Sequence, residues 1–252
     1  MSNAATSPTV DIPARQAAPP GGALDQGEVH VWQVDLDQPP GALPWDILSE
    51  DERRTARRFH FDRDRDRYVA CRSALRRILS HYLRTPPKDL PIAYGPHGKP
   101  QLSGNEINFN LSHSQDVAVI ALSANFQIGI DFEKFNPTLD HEALAQRFFT
   151  APERAYIATL PPDRRREGFY QCWTRKEAWM KALGHGLMQP LENFDVSISL
   201  PASSATLRSP NGAWSVIELR PASDCVAALV TDAPPRRLTF LKPRFDPPAA
   251  TT

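Results

Sequence analysis

The order in which two hydrophobic periods follow one another along this chain constrains its fold more than any other feature. From about Asp62 to Leu83 the apolar residues Tyr68, Cys71, Leu75, Ile78, Leu79 and Tyr82 keep helical spacing, and Pro86-Pro87 closes the segment. A second helical stretch runs from about Arg164 through Leu183 and is stopped by Gly184. Strand-like runs precede the first helix at residues 29–36 and follow it at 107–111, 117–122 and 128–132. Four more β-like runs, at 194–199, 214–219, 226–230 and 238–241, end the chain. Strand, helices, strands, then helices and strands again is the pattern of an α+β fold whose two halves each pair helix with sheet. No short-period repeat relates the two halves.

Local signals sharpen the boundaries. Ser49 with Glu52 forms a capping box that opens a short helix towards Phe59, and Thr150 with Glu153, with Pro152 between them, forms a second. Residues 1–27 are rich in Ala, Pro, Gly and Ser, and with the tail 245–252 they read as disordered. The expected division is therefore a lead-in 1–27, an N-terminal half 28–125, a C-terminal half 126–244 and a tail 245–252. With 29 basic and 29 acidic side chains, no bulk charge points to nucleic acid or anionic lipid. Cys71, Cys172 and Cys225 are odd in number and far apart, which argues against a disulfide framework or a structural zinc site and suits a reducing cytosol. No charged segment followed by an apolar run opens the chain, and the apolar stretch 117–122 falls well short of the ~20 residues that span a bilayer. The expectation is a cytoplasmic protein with no membrane or nucleic-acid partner, in which nothing demands more than a monomer.

Four motifs carry chemistry. In Gly129-Ile130-Asp131-Phe132-Glu133, strand alternation turns Asp131 and Glu133 to one face and Ile130 and Phe132 to the core. Two adjacent carboxylates repel unless a cation lies between them, and oxygen-only ligands select a hard ion such as Mg²⁺. Solvent-facing acids at alternate positions are the plain alternative. In the segment 173–184, Glu177 and Lys181 share a helix face beside Trp173, Trp179 and Met180. They read either as a surface ion pair or as site residues on a largely buried helix, where Glu177 would be the third carboxylate of a one-sided Mg²⁺ site. In Asn108-Phe109-Asn110-Leu111-Ser112-His113-Ser114, Ser112 and His113 are too close in sequence for a nucleophile pair. They suit an anion site, or a polar hairpin tip. Gly98-Lys99-Pro100 lacks the remainder of a P-loop, and no dinucleotide fingerprint is present. Arginines crowd the interval from Arg53 to Arg77, a solvated helix face or a phosphate grip.

Taken in order, GKP, NFNLSHS, GIDFEK, FFTAPE and WTRKEAWMKALGHGL resemble the signature set of the Sfp-type 4'-phosphopantetheinyl transferases over about residues 53–195. The resemblance implies a pseudo-twofold monomer of two similar α/β halves with coenzyme A in the cleft between them. It implies that Asp131, Glu133 and Glu177 bind Mg²⁺, with Mn²⁺ as a substitute, alongside the pyrophosphate. Lys181 would contact the pyrophosphate, and Asp131, Glu177 and Lys181 would be the catalytic set. Ser112 and His113 would hold the 3'-phosphate with Arg67, while Gly98, Lys99 and Pro100 would lie along the adenine. Glu177, directly or through water, would take the proton from the attacking serine of an apo acyl or peptidyl carrier protein. Thr55 stands where the family commonly has a basic residue, four positions before the matched Phe59.

Glu153 is explained by its cap, and His97 and His185 read as loop histidines. Phe148, Phe149 and the segment after them are candidates for carrier recognition. A non-catalytic carrier-binding relative and a Mg²⁺-dependent phosphohydrolase are the rival readings, with a nucleic-acid module a distant third. Whether the carrier serves fatty-acid, polyketide or nonribosomal-peptide synthesis stays open.

Overall fold

The computed structural model describes residues 10–11, 22–39, 41–104, 107–184, 194–196, 204–209 and 212–243. The tail 245–252, His185 and residues 197–199 of the 194–199 run lie outside the described residues, as does the lead-in apart from 10–11 and 22–27. The elements in chain order are β1 (Val10–Asp11), β2 (Glu28–Asp35), α1 (Glu50–Ala56), α2 (Asp62–Leu83), β3 (Ile92–Tyr94), β4 (Pro100–Leu102), β5 (Asn108–Ser114), β6 (Val117–Ser123) and β7 (Ile128–Lys134). They continue with α3 (His141–Phe148), α4 (Ala151–Thr159), α5 (Arg165–Leu183), β8 (Ser204–Ser209), β9 (Gly212–Arg220), β10 (Cys225–Thr231) and β11 (Arg237–Leu241).

Two sheets stack. In the first the order is β11-β2-β6-β5, and in the second β1-β9-β10-β7 with β8 also on β9. The halves repeat one plan. β2, α1, α2, β5 and β6 correspond in order and pairing to β7, α4, α5, β9 and β10, and in each set the opening strand pairs antiparallel with the last. The fold is α+β with pseudo-twofold halves. One apolar cluster joins α2 to the first sheet through Leu75, Ile78 and Leu79 against Trp32, Phe109 and Ile120. A second joins α5 to the other sheet. A third lies between the sheets, where Val31, Val119 and Phe240 meet Ile130, Phe132 and Leu229. Burial of these faces, at roughly 25 cal/mol per Å² of apolar surface, is what holds the layers together.

Two strands depart from the expected division. Val10–Asp11, in the segment expected to lack structure, pairs parallel with Leu219 and Arg220 of β9, whose backbone groups offer a ladder. Arg237–Leu241 pairs parallel with β2, so the last strand returns to the first half's sheet. Cys71, Cys172 and Cys225 are unpaired and buried. No helix among the described residues is long and apolar enough to cross a membrane.

The repeat that sequence spacing concealed lies in the caps. Both capping boxes form: Ser49 with Glu52 opens α1, and Thr150 with Glu153 opens α4. Each glutamate is then buried against a cation from the long helix that follows. Arg72 and Arg76 donate to Glu52 at 2.9 and 2.6 Å, and Lys176 donates to both oxygens of Glu153 at 2.8 Å. Glu153 also accepts the Val196 N–H at 2.8 Å, so it satisfies a cap, a charge and a loop at once. Lys176, inside the motif that drew attention to α5, is therefore structural.

Candidate active site

β5 and β7 are edge strands of different sheets, and alternate side chains of β5 lace them together. Asn110 accepts the Ile130 N–H at 2.8 Å. Ser112 Oγ donates to Asp131 Oδ1 at 2.8 Å, and Ser114 Oγ donates to Glu133 Oε2 at 2.7 Å. The helix α5 reaches the same place because the second residue of β7 is a glycine. A Cβ on Gly129 would lie 2.0 Å from the Ala178 carbonyl oxygen and 2.4 Å from the Ala182 nitrogen, so only a glycine lets the helix backbone press onto the strand there. That approach brings Lys181 Nζ to Asp131 Oδ1 at 2.6 Å and to Ser112 Oγ at 2.9 Å.

Negative charge is crowded here. Burial first, then the Asp131 charge, pushes Glu133 up to about 7, with the Ser114 hydroxyl opposing. Glu177 is raised for the same reasons, burial and Asp131, with Lys181 opposing. Asp131 is buried, and its Oδ2 has no hydrogen-bond partner among the described residues. An orphaned carboxylate oxygen beside two glutamates held towards protonation fits a hard divalent cation, which would supply the missing positive charge. Among the described residues no three His, Cys, Asp or Glu side chains already converge closely enough to hold an ion.

Next to this cluster opens a cavity of ≈ 470 Å³ between the halves. Gly98, Lys99 and Pro100 line it with Tyr94 and His97 from one side, Asp51, Thr55, Tyr68 and Arg72 from another, and Asn110, Leu111, Lys181 and Gly184 from its floor. Such a volume suits a drug-sized or nucleotide-sized ligand. His97 lies in the turn between β3 and β4, as a loop residue would, and it also lines the cavity, for which its neighbour GKP was the available signal. Tyr94 is half exposed and is gripped by Arg72, whose Nη2 donates to the hydroxyl at 2.7 Å.

The structure brings Asp131, Glu133, Glu177, Lys181 and Ser112 together, and sets Gly98, Lys99 and Pro100 beside them. Ser112 sits with the carboxylates and lysine rather than with His113, because strand alternation turns the two side chains apart. His113 is exposed at its edge yet lies near enough to the cluster that burial, then the Lys181 charge, lowers its pKa. Arg67 is not brought to the cavity. Its guanidinium forks onto Asp37 at 2.7 and 2.9 Å, a geometry that a carboxylate matches well. Of the arginines just before Thr55, Arg53 donates to the Trp45 and Asp46 carbonyls and Arg54 pairs with Asp51. Phe149, a candidate for carrier contact, is 1 % exposed and stacks on Phe169 in the second core, while Phe148 is only partly buried.

Comparison with known proteins gives this geometry a lineage. Residues 127–230 match the 4'-phosphopantetheinyl transferase superfamily, and residues 41–125 match the N-terminal region of 4'-phosphopantetheinyl transferases. The 4'-phosphopantetheinyl transferase HetI of Nostoc sp. is 41% identical over 218 residues, which is 84% of this chain and 90% of that protein. The 4'-phosphopantetheinyl transferase Sfp of Bacillus subtilis is 31% identical over 167 residues, 62% of this chain and 73% of its own length. The chain belongs to the 4'-phosphopantetheinyl transferase superfamily.

Proposed function

We propose that this enzyme transfers 4'-phosphopantetheine from coenzyme A to a serine of an apo acyl or peptidyl carrier protein, releasing adenosine 3',5'-bisphosphate. The observation that carries this reading is Lys181, which lines the interhalf cavity and whose ammonium bridges Ser112 and Asp131. A ligand lying in the cavity with its nucleoside along Gly98, Lys99 and Pro100 would direct its pyrophosphate to that ammonium. Mg²⁺, or Mn²⁺ in its place, would be held by Asp131, Glu133 and Glu177 and would neutralise charge on the pyrophosphate oxygens.

The chain's own groups divide the remaining work. Glu177, held above the ordinary carboxylate range, is suited to take the proton from the carrier serine as its oxygen forms a bond to the nearer phosphorus. The bond from that phosphorus to the departing nucleotide oxygen breaks, and Lys181 stabilises the charge that collects there. Ser112 and Ser114 orient Asp131 and Glu133 by donating to them. His113, near Lys181, would meet the 3'-phosphate. The protein would act as a cytoplasmic monomer.

Release of adenosine 3',5'-bisphosphate from coenzyme A, measured with and without an apo carrier protein, tests this against its rivals. Release that requires both carrier and Mg²⁺ is the expected result. Release without carrier would make the protein a phosphohydrolase, and no release with several carriers would favour a non-catalytic carrier-binding protein.

A further inference from the structure

The side chain of Lys99 lines the cavity but spends its charge on the helix that carries the site. It leaves the turn between β3 and β4, where Gly98 has φ +79° and the Gly95 N–H donates to the Lys99 carbonyl at 2.9 Å. Its Nζ donates to the carbonyls of Lys181 at 2.6 Å, Ile128 at 3.1 Å and Ala182 at 3.3 Å. All three acceptors lie in the other half of the fold: Ile128 opens β7, and Lys181 and Ala182 lie in the last turn of α5. The last carbonyls of a helix have no partner within it and carry the negative end of its dipole, so one cation there answers both needs. The stem of Lys99 also packs along this helix end, its Cδ 3.8 Å from where a Cβ on Gly184 would stand.

Lys181 is in consequence held at both ends. Its carbonyl accepts from Lys99 at 2.6 Å as well as from the capping Gly184 N–H at 3.3 Å, and its ammonium is held by Asp131 and Ser112. We propose that Lys99 is a positioning residue, whose ammonium ties the last turn of α5 to the first half and so sets the reach of Lys181 to the carboxylates. The inference rests on the transferase reading above and deepens it: Lys99 acts on the helix, and its ammonium is not a phosphate ligand. The turn that carries Lys99 also lines the cavity, so the nucleotide's seat and the catalytic lysine share one anchor.

The test compares the full chain with Lys99→Met, which keeps the stem and loses the charge, and Lys99→Arg, which keeps a cation. Two readouts are taken: steady-state transfer to an apo carrier protein, and amide hydrogen exchange along α5. Lys99→Met is expected to lower kcat about 10- to 100-fold while KM for coenzyme A changes less than about threefold, the scale of a misplaced catalytic group. Amides of the last turn of α5 should exchange about tenfold faster, with the middle of the helix unaffected. Lys99→Arg should recover most of kcat and of the protection. A raised KM for coenzyme A with kcat and exchange unchanged would overturn the proposal in favour of direct ligand contact. Wild-type kcat and exchange in Lys99→Met would overturn it as well. If the wild-type protein transfers nothing to any carrier, the transferase reading fails, and the exchange measurement still decides whether Lys99 holds the helix.

Discussion

Asp131 gives one carboxylate oxygen to Ser112 and Lys181 and leaves the other without a partner among the described residues, while Glu133 and Glu177 crowd beside it. Such a cluster has a pH signature. Glu133 is raised from 4.5 to about 7 in the fold, so between these values the folded protein keeps a proton that the unfolded chain releases. Stability without divalent metal should therefore fall as pH rises through that window, on the order of 1–2 kcal/mol after solvent screening. Urea unfolding in EDTA at pH 5 and pH 8 measures this, and Glu133→Gln should flatten the slope. Millimolar Mg²⁺ at pH 8 should restore the loss; a flat profile in the wild-type protein would mean that neither burial nor the Asp131 charge holds the proton on Glu133. At this scale much was legible in the sequence. A strand's alternation puts Asp131 and Glu133 on one face whatever surrounds them, and a helix's spacing puts Glu177 beside Lys181. Partners from the other half were not legible. Neither Ser114 on Glu133 nor Lys99 on the end of α5 leaves any local trace, and Arg67 was lost to an aspartate that lies far from it in the chain.

Elements were legible where they begin with a cap or end at a glycine. Both capping boxes and the stop at Gly184, which has φ +70°, form as their residues dictate. The hairpin β3–β4 and the helix α3 escaped notice because three-residue strands and an eight-residue helix give too few periods to recognise. The caps also hid the internal symmetry, since the cations that bury Glu52 and Glu153 are recognisable only once α2 and α5 are in place. Glu153→Gln should cost about 3 kcal/mol or more in chemical denaturation, because it leaves the Lys176 ammonium buried without its counter-charge. The exposed Arg54–Asp51 pair is the control: Arg54→Ala should shift stability by no more than about 0.5 kcal/mol. At the junction of β7 and α5, Gly129→Ala places a methyl against helix backbone that cannot rotate away. We expect a loss of about 1–3 kcal/mol in thermal denaturation together with a fall in transfer rate, as α5 is levered off the strand. Wild-type stability and rate in that variant would mean that the helix can retreat without disturbing Lys181.

For the molecule as a whole, the site exists because two similar halves meet. β5 ends one sheet, β7 ends the other, and the side chains that lace them are also those that hold the carboxylates. The cavity draws its wall from both halves, and α5 completes its floor. The α+β class and the two-half plan followed from the order of periods, whereas the return of β11 to the first sheet is a pairing between the ends of the chain that no local pattern encodes. The measurement closest to the central claim is the intact mass of an apo carrier protein after incubation with this enzyme, coenzyme A and Mg²⁺, with EDTA and Asp131→Ala as parallel arms. The predicted result is a gain of one phosphopantetheine arm in the presence of Mg²⁺ alone, nearly abolished in Asp131→Ala although that variant keeps the wild-type circular dichroism. No gain with fatty-acid, polyketide and nonribosomal-peptide carriers, or full activity in Asp131→Ala, would contradict it.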